Sequence, residues 1–97
     1  GMTRARPQTE QQRAPTRLYW IQTGSYRSKS KAEENNARLV EYGLSGRIIT
    51  KEIGRDLFFR VRIGPYSDKQ EAEKFLSWIK RIKGLEKSYI SIEYSVN

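Results

Sequence analysis

The sequence predicts an α+β fold whose elements follow the order β-α-β-β-α-β. Four short segments are rich in β-branched and aromatic residues, and two segments between them have helical spacing of their apolar residues. An internal repeat at an offset of 40 residues supports a duplicated β-α-β unit. It pairs Ile21 with Val61, Gly24 with Gly64, Tyr26 with Tyr66, Ala32 with Ala72, Glu33 with Glu73, and Leu39 with Ile79.

The four predicted strands are bounded by turn residues. Gly54-Arg55 is interpreted as a hairpin turn, and the glycines at Gly24 and Gly64 are expected to end the strands before them. In the last strand, Ile90 and Ile92 alternate with more polar residues, which is typical of a half-buried strand. The predicted ranges are 18–23, 47–53, 56–63 and 88–94.

Two helices are predicted, near 30–42 and 68–82. The first is expected to begin at a capping box formed by Ser30 and Glu33 and to end at Gly43. The second carries a strong apolar stripe and is expected to end at Gly84. The predicted core comprises Ile21, Leu39, Phe59, Val61, Ile63, Phe75, Leu76 and Ile79.

Two β-α-β units of this kind interleave as a four-stranded antiparallel sheet with both helices on one face, the ferredoxin-like or RNP-like arrangement. The first and third strands are then the central pair, and the other face of the sheet has no helix on it. Strand alternation divides the side chains of the central strands between the two faces. The predicted helix-free face carries Trp20, Gln22, Phe58, Arg60 and Arg62.

Composition limits the chemistry of this face. Lys and Arg number 19 against 11 Asp and Glu, so a partner with carboxylates or phosphates is expected. The sequence has no Cys and no His, which removes disulfides, thiolate and imidazole chemistry and the common zinc sites. Glu33 and Glu34 are interpreted as solvated residues at a helix start. We therefore predict no catalytic residue, no metal site and no cofactor.

Residues 1–16 are predicted to form a disordered linker and residues 17–97 a single domain. The first segment is rich in Gln, Arg and Pro and has too few apolar residues to offset the entropy of ordering. Gly1-Met2 resembles the remnant of a cleaved tag. No apolar run approaches the roughly 20 residues of a membrane span, so membrane attachment is expected only through an anchor outside this sequence.

Aromatic rings stack on the C–H faces of sugars or on nucleobases, and Gln and Arg donate hydrogen bonds to hydroxyl, amide and carboxylate oxygens. The helix-free face therefore suits a long polar ligand. An ordinary aromatic pair beside solubilising arginines remains an alternative explanation of the same residues.

Two segments resemble the signature motifs of the SPOR domain family. Residues 19–26 (YWIQTGSY) resemble its first-strand motif, and residues 60–66 (RVRIGPY) resemble its second. The resemblance covers about Leu18 to Tyr94. It implies a non-catalytic domain that binds peptidoglycan glycan strands lacking stem peptides. It also implies a protein of the periplasm or cell envelope, membrane-anchored at full length, that acts at the division septum or at sites of wall remodelling, with other division proteins as further partners.

Carried over residue by residue, the family's binding positions fall on Gln22, Ser25 and Arg60, and Phe58 lies where an aromatic contributes to the glycan surface. With Trp20 and Arg62 these residues form the predicted glycan-binding set. A role for Ser25 as a turn or cap residue stays open.

Two other functions fit the same fold. An RRM-like RNA-binding module has this element order, an aromatic-bearing sheet and a basic surface. Its third-strand signature is missing from residues 56–63, so nucleic acid is not expected as a partner. A protein-protein adaptor that uses the same open sheet is the second alternative.

Overall fold

A computed structural model describes residues 16–96. Its elements occur in the predicted order, and the fold class is confirmed. The predicted linker lies outside the described residues except for Thr16, which begins the first strand. The strands are β1 (Thr16–Tyr26), β2 (Arg47–Ile53), β3 (Asp56–Tyr66) and β4 (Tyr89–Ser95), and the helices are α1 (Lys29–Glu41) and α2 (Lys69–Ile79).

The sheet is antiparallel, with strand order β2-β3-β1-β4. The two long strands β1 and β3 are central, as predicted, and the shorter β2 and β4 form the edges. Both helices pack on the same face, because Leu39 of α1 and Ile79 of α2 join Ile21 and Val61 in one buried cluster. Of the other predicted core residues, Ile63 is buried in this cluster, whereas Phe59, Phe75 and Leu76 are partly buried against it.

The start of α1 differs from the prediction. The N-cap is Ser28, whose hydroxyl accepts a hydrogen bond from the backbone N–H of Lys31 at 3.4 Å. The predicted capping box at Ser30 is therefore wrong, since Ser30 lies inside the first turn. The predicted end is close to the observed one, because Gly43 follows the helix with a φ of +77°, a conformation that glycine adopts without strain.

The second helix is shorter than predicted. It begins after Asp68, whose carboxylate accepts from the backbone N–H of Gln70 at 3.0 Å, and it ends at Ile79. The chain then continues through turns that keep Ile82 and Leu85 buried in the core. In the part of the chain that the structure describes, neither helix is long and apolar enough to cross a membrane.

The central strands extend beyond the glycines that were expected to end them. β1 continues through Gly24 and β3 through Gly64, which are equivalent positions of the 40-residue repeat. Pairing between the two strands is irregular at both places. A β-bulge accommodates an extra residue without ending a strand, and it also tolerates a proline such as Pro65. The predicted strand ends at residues 23 and 63 are wrong for this reason.

Candidate functional site

The face of the sheet opposite the helices is the candidate site, and we call it the open face. Residues directly opposite each other on neighbouring strands point to the same side of a sheet. All six residues of the predicted glycan-binding set lie on this face. It comprises Leu18, Trp20, Gln22 and Ser25 of β1, Arg47, Ile49 and Lys51 of β2, Phe58, Arg60 and Arg62 of β3, and Tyr89, Ser91 and Glu93 of β4.

A bulge in β1 decides on which side Ser25 lies. Between Gln22 and Gly24 the pairing advances two residues on β1 but only one on β3, so Thr23 is the extra residue. Strict alternation would put Ser25 on the helix side of the sheet. The extra residue reverses the alternation, and Ser25 pairs with Arg60 on the open face.

Asn35 of α1 contacts this bulge from the helix side. The hydroxyl of Thr23 donates to Asn35 Oδ1 at 2.7 Å, and Asn35 Nδ2 donates to the Thr23 carbonyl at 3.2 Å and to Tyr26 Oη at 3.0 Å. Asn35 is buried. The sequence analysis did not single out Asn35, because a lone polar residue on a helix gives no periodic signal.

Gly24 lies too close to this network to carry a side chain. A Cβ there would be 2.6 Å from Tyr26 Cε2 and 2.8 Å from Asn35 Nδ2. We expect Gly24→Ala to lower the free energy of unfolding by about 1–3 kcal/mol, because neighbouring groups must move. Urea denaturation followed by circular dichroism measures this loss. The exposed neighbour Ser25 is the control, and Ser25→Ala should cost within about 0.5 kcal/mol. Equal stability of the Gly24→Ala variant and the unmodified protein would show that the strand can relax.

Trp20 lies on the open face, yet it is only 6% exposed. The guanidinium carbon of Arg62 lies 5.7 Å from the centroid of the Trp20 ring, and that of Arg47 lies 6.0 Å from it. Its Nε1 donates to Glu93 Oε1 at 2.7 Å. The prediction that this side of β1 faces solvent is therefore wrong for Trp20, because side chains of the neighbouring strands cover the ring.

The same correction applies to Gln22, which is 3% exposed. Its Nε2 donates to Tyr89 Oη at 2.8 Å, and its Oε1 accepts from Arg62 Nε at 3.4 Å. Arg62 also places its Nη2 3.5 Å from Ser91 Oγ. Gln22 is thus held in one orientation by residues of both neighbouring strands.

Arg60 has fewer partners than Arg62. Its Nε is buried and has no hydrogen-bond partner among residues 16–96. Within the same range, none of the ion pairs involves Arg60 or Arg62. Burial lowers the pKa of Arg62 and the nearby charge of Arg60 lowers it further, whereas Glu93 and Tyr89 raise it. Two positive groups in this partly buried position favour an anionic partner.

Residues of the open face line two concavities. The first, which we call the cross-sheet groove, has a volume of about 320 Å³ and is lined by Ile49, Thr50, Lys51, Arg60, Arg62, Ser91, Ile92 and Glu93. The second, which we call the β1-end pocket, has a volume of about 660 Å³ and is lined by residues 22–26 together with Gly84, Glu86, Lys87 and Tyr89.

The predicted site residues divide between these two concavities. Arg60 and Arg62 line the cross-sheet groove, while Gln22 and Ser25 line the β1-end pocket. The hydrogen bond between Arg62 and Gln22 joins the two. An elongated ligand that crosses both would meet guanidinium groups in one and amide and hydroxyl groups in the other. Phe58 is partly buried and lines neither of them.

Four residues whose side chains contact the predicted set were not assigned to the site by the sequence analysis. Three of them, Tyr89, Ser91 and Glu93, alternate with Ile90 and Ile92 in the last strand. Pairing of that strand with β1 would have placed these three residues beside Trp20 and Gln22. The fourth opens β2, where the sequence gives no signal of its contact with the Trp20 ring. The four residues are Tyr89, Ser91, Glu93 and Arg47.

Comparisons with known proteins agree with this architecture. The solution structure of the peptidoglycan binding domain of the B. subtilis cell wall lytic enzyme CwlC is similar, with a TM-score of 0.66 and 22% sequence identity over 79% of this chain and 90% of that chain. The RlpA SPOR domain from Pseudomonas aeruginosa is also similar, with a TM-score of 0.63 and 24% identity over 76% of this chain and 96% of that chain. No curated protein matches. The SPOR domain model matches residues 15–91, a range that contains both sequence motifs, and the chain therefore belongs to the SPOR domain family.

Proposed function

We propose that this domain binds peptidoglycan through the open face and catalyses no reaction. Membership of the SPOR family supports this proposal, as does the description of the similar CwlC domain as peptidoglycan binding. The finer part of the proposal is that the ligand is a glycan strand from which the stem peptides have been removed. The shallow shape of the groove favours such a strand, because attached peptides would crowd a chain lying across a sheet.

The observation that carries the proposal is the pair of guanidinium groups of Arg60 and Arg62. No carboxylate lies within 4.0 Å of either group in the described part of the chain. Muramic acid keeps its lactyl group when an amidase removes the stem peptide, and this group then ends in a free carboxylate. A planar guanidinium binds a carboxylate through two parallel hydrogen bonds. Removal of the peptide thus creates the anion that these residues suit.

The other residues of the predicted glycan-binding set have different proposed roles. Ser25 and Gln22 line the β1-end pocket, where the hydroxyl of Ser25 suits the hydroxyl and acetamide groups of the sugars. The amide of Gln22 holds Tyr89 and Arg62 in position. Phe58 offers an apolar surface to the C–H groups of a sugar ring. The covered ring of Trp20 supports Arg62 from beneath.

This ligand suggests where the domain acts. We infer that it directs the protein that carries it to the division septum or to other sites of wall remodelling, where amidases produce strands without stem peptides. The proposed localisation is the periplasm or cell envelope, with membrane attachment supplied outside this sequence. Contact with other division proteins belongs to the same proposal.

RNA binding is the main competing function. RRM-like modules stack bases on exposed aromatic rings of the sheet. The ring of Trp20 is covered by Arg47 and Arg62 and is not free for stacking. We therefore expect single-stranded RNA to bind weakly or not at all.

Sedimentation with purified sacculi tests the proposed function. We expect more of the domain to pellet with the sacculi after amidase treatment. We also expect binding to persist near 0.15 M salt, where attraction between exposed charges more than about 8 Å apart is largely screened. A mobility-shift assay with single-stranded RNA is run in parallel. Reduced binding after amidase treatment would contradict the proposed ligand. A domain that ignores treated sacculi but shifts RNA would be an RNA-binding module.

A further inference from the structure

We propose that Asn35 is a positioning residue, which fixes the β1 bulge and thereby places Ser25 beside Arg60 on the open face. The inference rests on the proposed function for its consequence in binding, but its structural part stands without any ligand. It assigns to a buried side chain of α1 the control of a surface on the opposite side of the sheet.

The first step is the complementarity between Asn35 and the bulge. A bulge disrupts the hydrogen-bond ladder locally, and a buried carbonyl needs a donor. Asn35 Nδ2 supplies one to the Thr23 carbonyl at 3.2 Å, while Asn35 Oδ1 accepts from the Thr23 hydroxyl at 2.7 Å. A carboxylate at this position would have no donor, and an aliphatic side chain would offer neither group.

The second step is a comparison of the two halves of the repeat. At the offset of 40 residues, Asn35 corresponds to Phe75 and Thr23 corresponds to Ile63. The second unit thus has two apolar residues where the first has a hydrogen-bonded polar pair. Packing of a helix on this sheet does not require the polar pair, and what the pair contacts is the bulge of β1.

The third step is that the first unit has Ser25 turned to the open face. The reversal of alternation at Thr23 makes Ser25 the partner of Arg60. Without the extra residue Ser25 would point towards the helices, since a shift of one residue moves every side chain to the other face. Fixing the bulge therefore keeps the hydroxyl of Ser25 in the β1-end pocket.

Asn35→Leu is the principal test, and it is read out first by NMR without ligand. Nuclear Overhauser contacts between Ser25 and Arg60 report the register of the bulge. We expect these contacts to be lost or strongly weakened in the Asn35→Leu variant. Asn36→Ala is the matched control on the same helix, because Asn36 Oδ1 accepts from the Gly46 backbone N–H at 3.1 Å, away from the bulge. It should lower stability and leave the Ser25 to Arg60 contacts unchanged.

Binding to amidase-treated glycan is the second readout. Asn35→Leu and Ser25→Ala should each weaken affinity about 2- to 10-fold, the range expected for one lost hydrogen bond. If Asn35 acts only through Ser25, the double variant should bind no more weakly than Ser25→Ala alone. The proposal would be overturned if Asn35→Leu lowered glycan affinity by the same factor in the Ser25→Ala variant as in the unmodified protein. It would also be overturned if the contacts between Ser25 and Arg60 survived Asn35→Leu.

Thr23→Val combined with Asn35→Leu covers the case in which the single variant does not fold. Replacing both hydrogen-bonding partners by apolar groups of similar shape costs much less than removing one. We expect the double variant to fold and to show the same loss of Ser25 to Arg60 contacts, and retained contacts would refute the role of Asn35. Failure of the unmodified protein to bind any glycan would count against the proposed function only, because the NMR contacts do not depend on it.

Discussion

Replacing Arg60 by lysine is expected to lower affinity for amidase-treated sacculi by about tenfold or more. Lysine keeps the positive charge but lacks the planar guanidinium group, which can bind a carboxylate through two parallel hydrogen bonds. A hydrogen bond to a charged group contributes about 1.5–3 kcal/mol, which corresponds to at least a tenfold change in affinity. Arg60 makes no ion pair within residues 16–96. The melting temperature should therefore change by less than about 4 °C.

Arg81→Lys is the matched control for this experiment. Arg81 is exposed in the turn after α2, and the change to lysine is the same. It should leave both affinity and melting temperature unchanged. If the Arg60→Lys variant binds as tightly as the unmodified protein, and binding of both disappears near 0.15 M salt, attraction would come from net charge alone. Binding that depends on the guanidinium group should resist this salt and fail with lysine.

The fold was predictable because its signals are local. Alternation in β1 and β3 and the apolar stripe of α2 depend only on neighbours in the sequence, and the repeat added the expectation that the two units are alike. These signals identified the central strands and the core around Ile21 and Val61. They failed at Gly24 and Gly64, because a glycine ends a strand or occupies a bulge according to what the opposite strand offers.

The candidate site was predictable only in part, because its geometry depends on pairing between strands. Strict alternation in β1 would place Ser25 on the helix side, and only the resemblance to the SPOR motif brought it into the predicted set. The burial of Gln22 depends on Tyr89 and Arg62, which are distant in the sequence. A residue on the helix-free side of a sheet is not exposed when long side chains of neighbouring strands close over it.

Trp20→Ala is expected to have the largest effect on stability of any change on the open face. Truncation of a buried Trp costs about 3–5 kcal/mol, and for a domain of this size the melting temperature should fall by more than about 12 °C. The physical reason is the combined loss of ring packing against Arg47 and Arg62 and of the hydrogen bond to Glu93. Urea unfolding followed by far-UV circular dichroism measures the loss without relying on Trp fluorescence.

Two further variants separate the contributions and test whether Trp20 touches the ligand. Trp20→Phe keeps an aromatic ring but removes the Nε1 donor to Glu93, so the free energy of unfolding should fall by about 1.5–3 kcal/mol. Glycan affinity, measured at a temperature where the variant is folded, should stay within about twofold of that of the unmodified protein. Trp78→Ala is the control for the truncation itself, since Trp78 is 38% exposed and should cost less than Trp20→Ala. A Trp20→Ala variant that melts like the unmodified protein would contradict the stabilising role of the ring. A folded Trp20→Phe variant that loses far more than twofold in affinity would contradict the view that the ring only supports Arg62 from beneath.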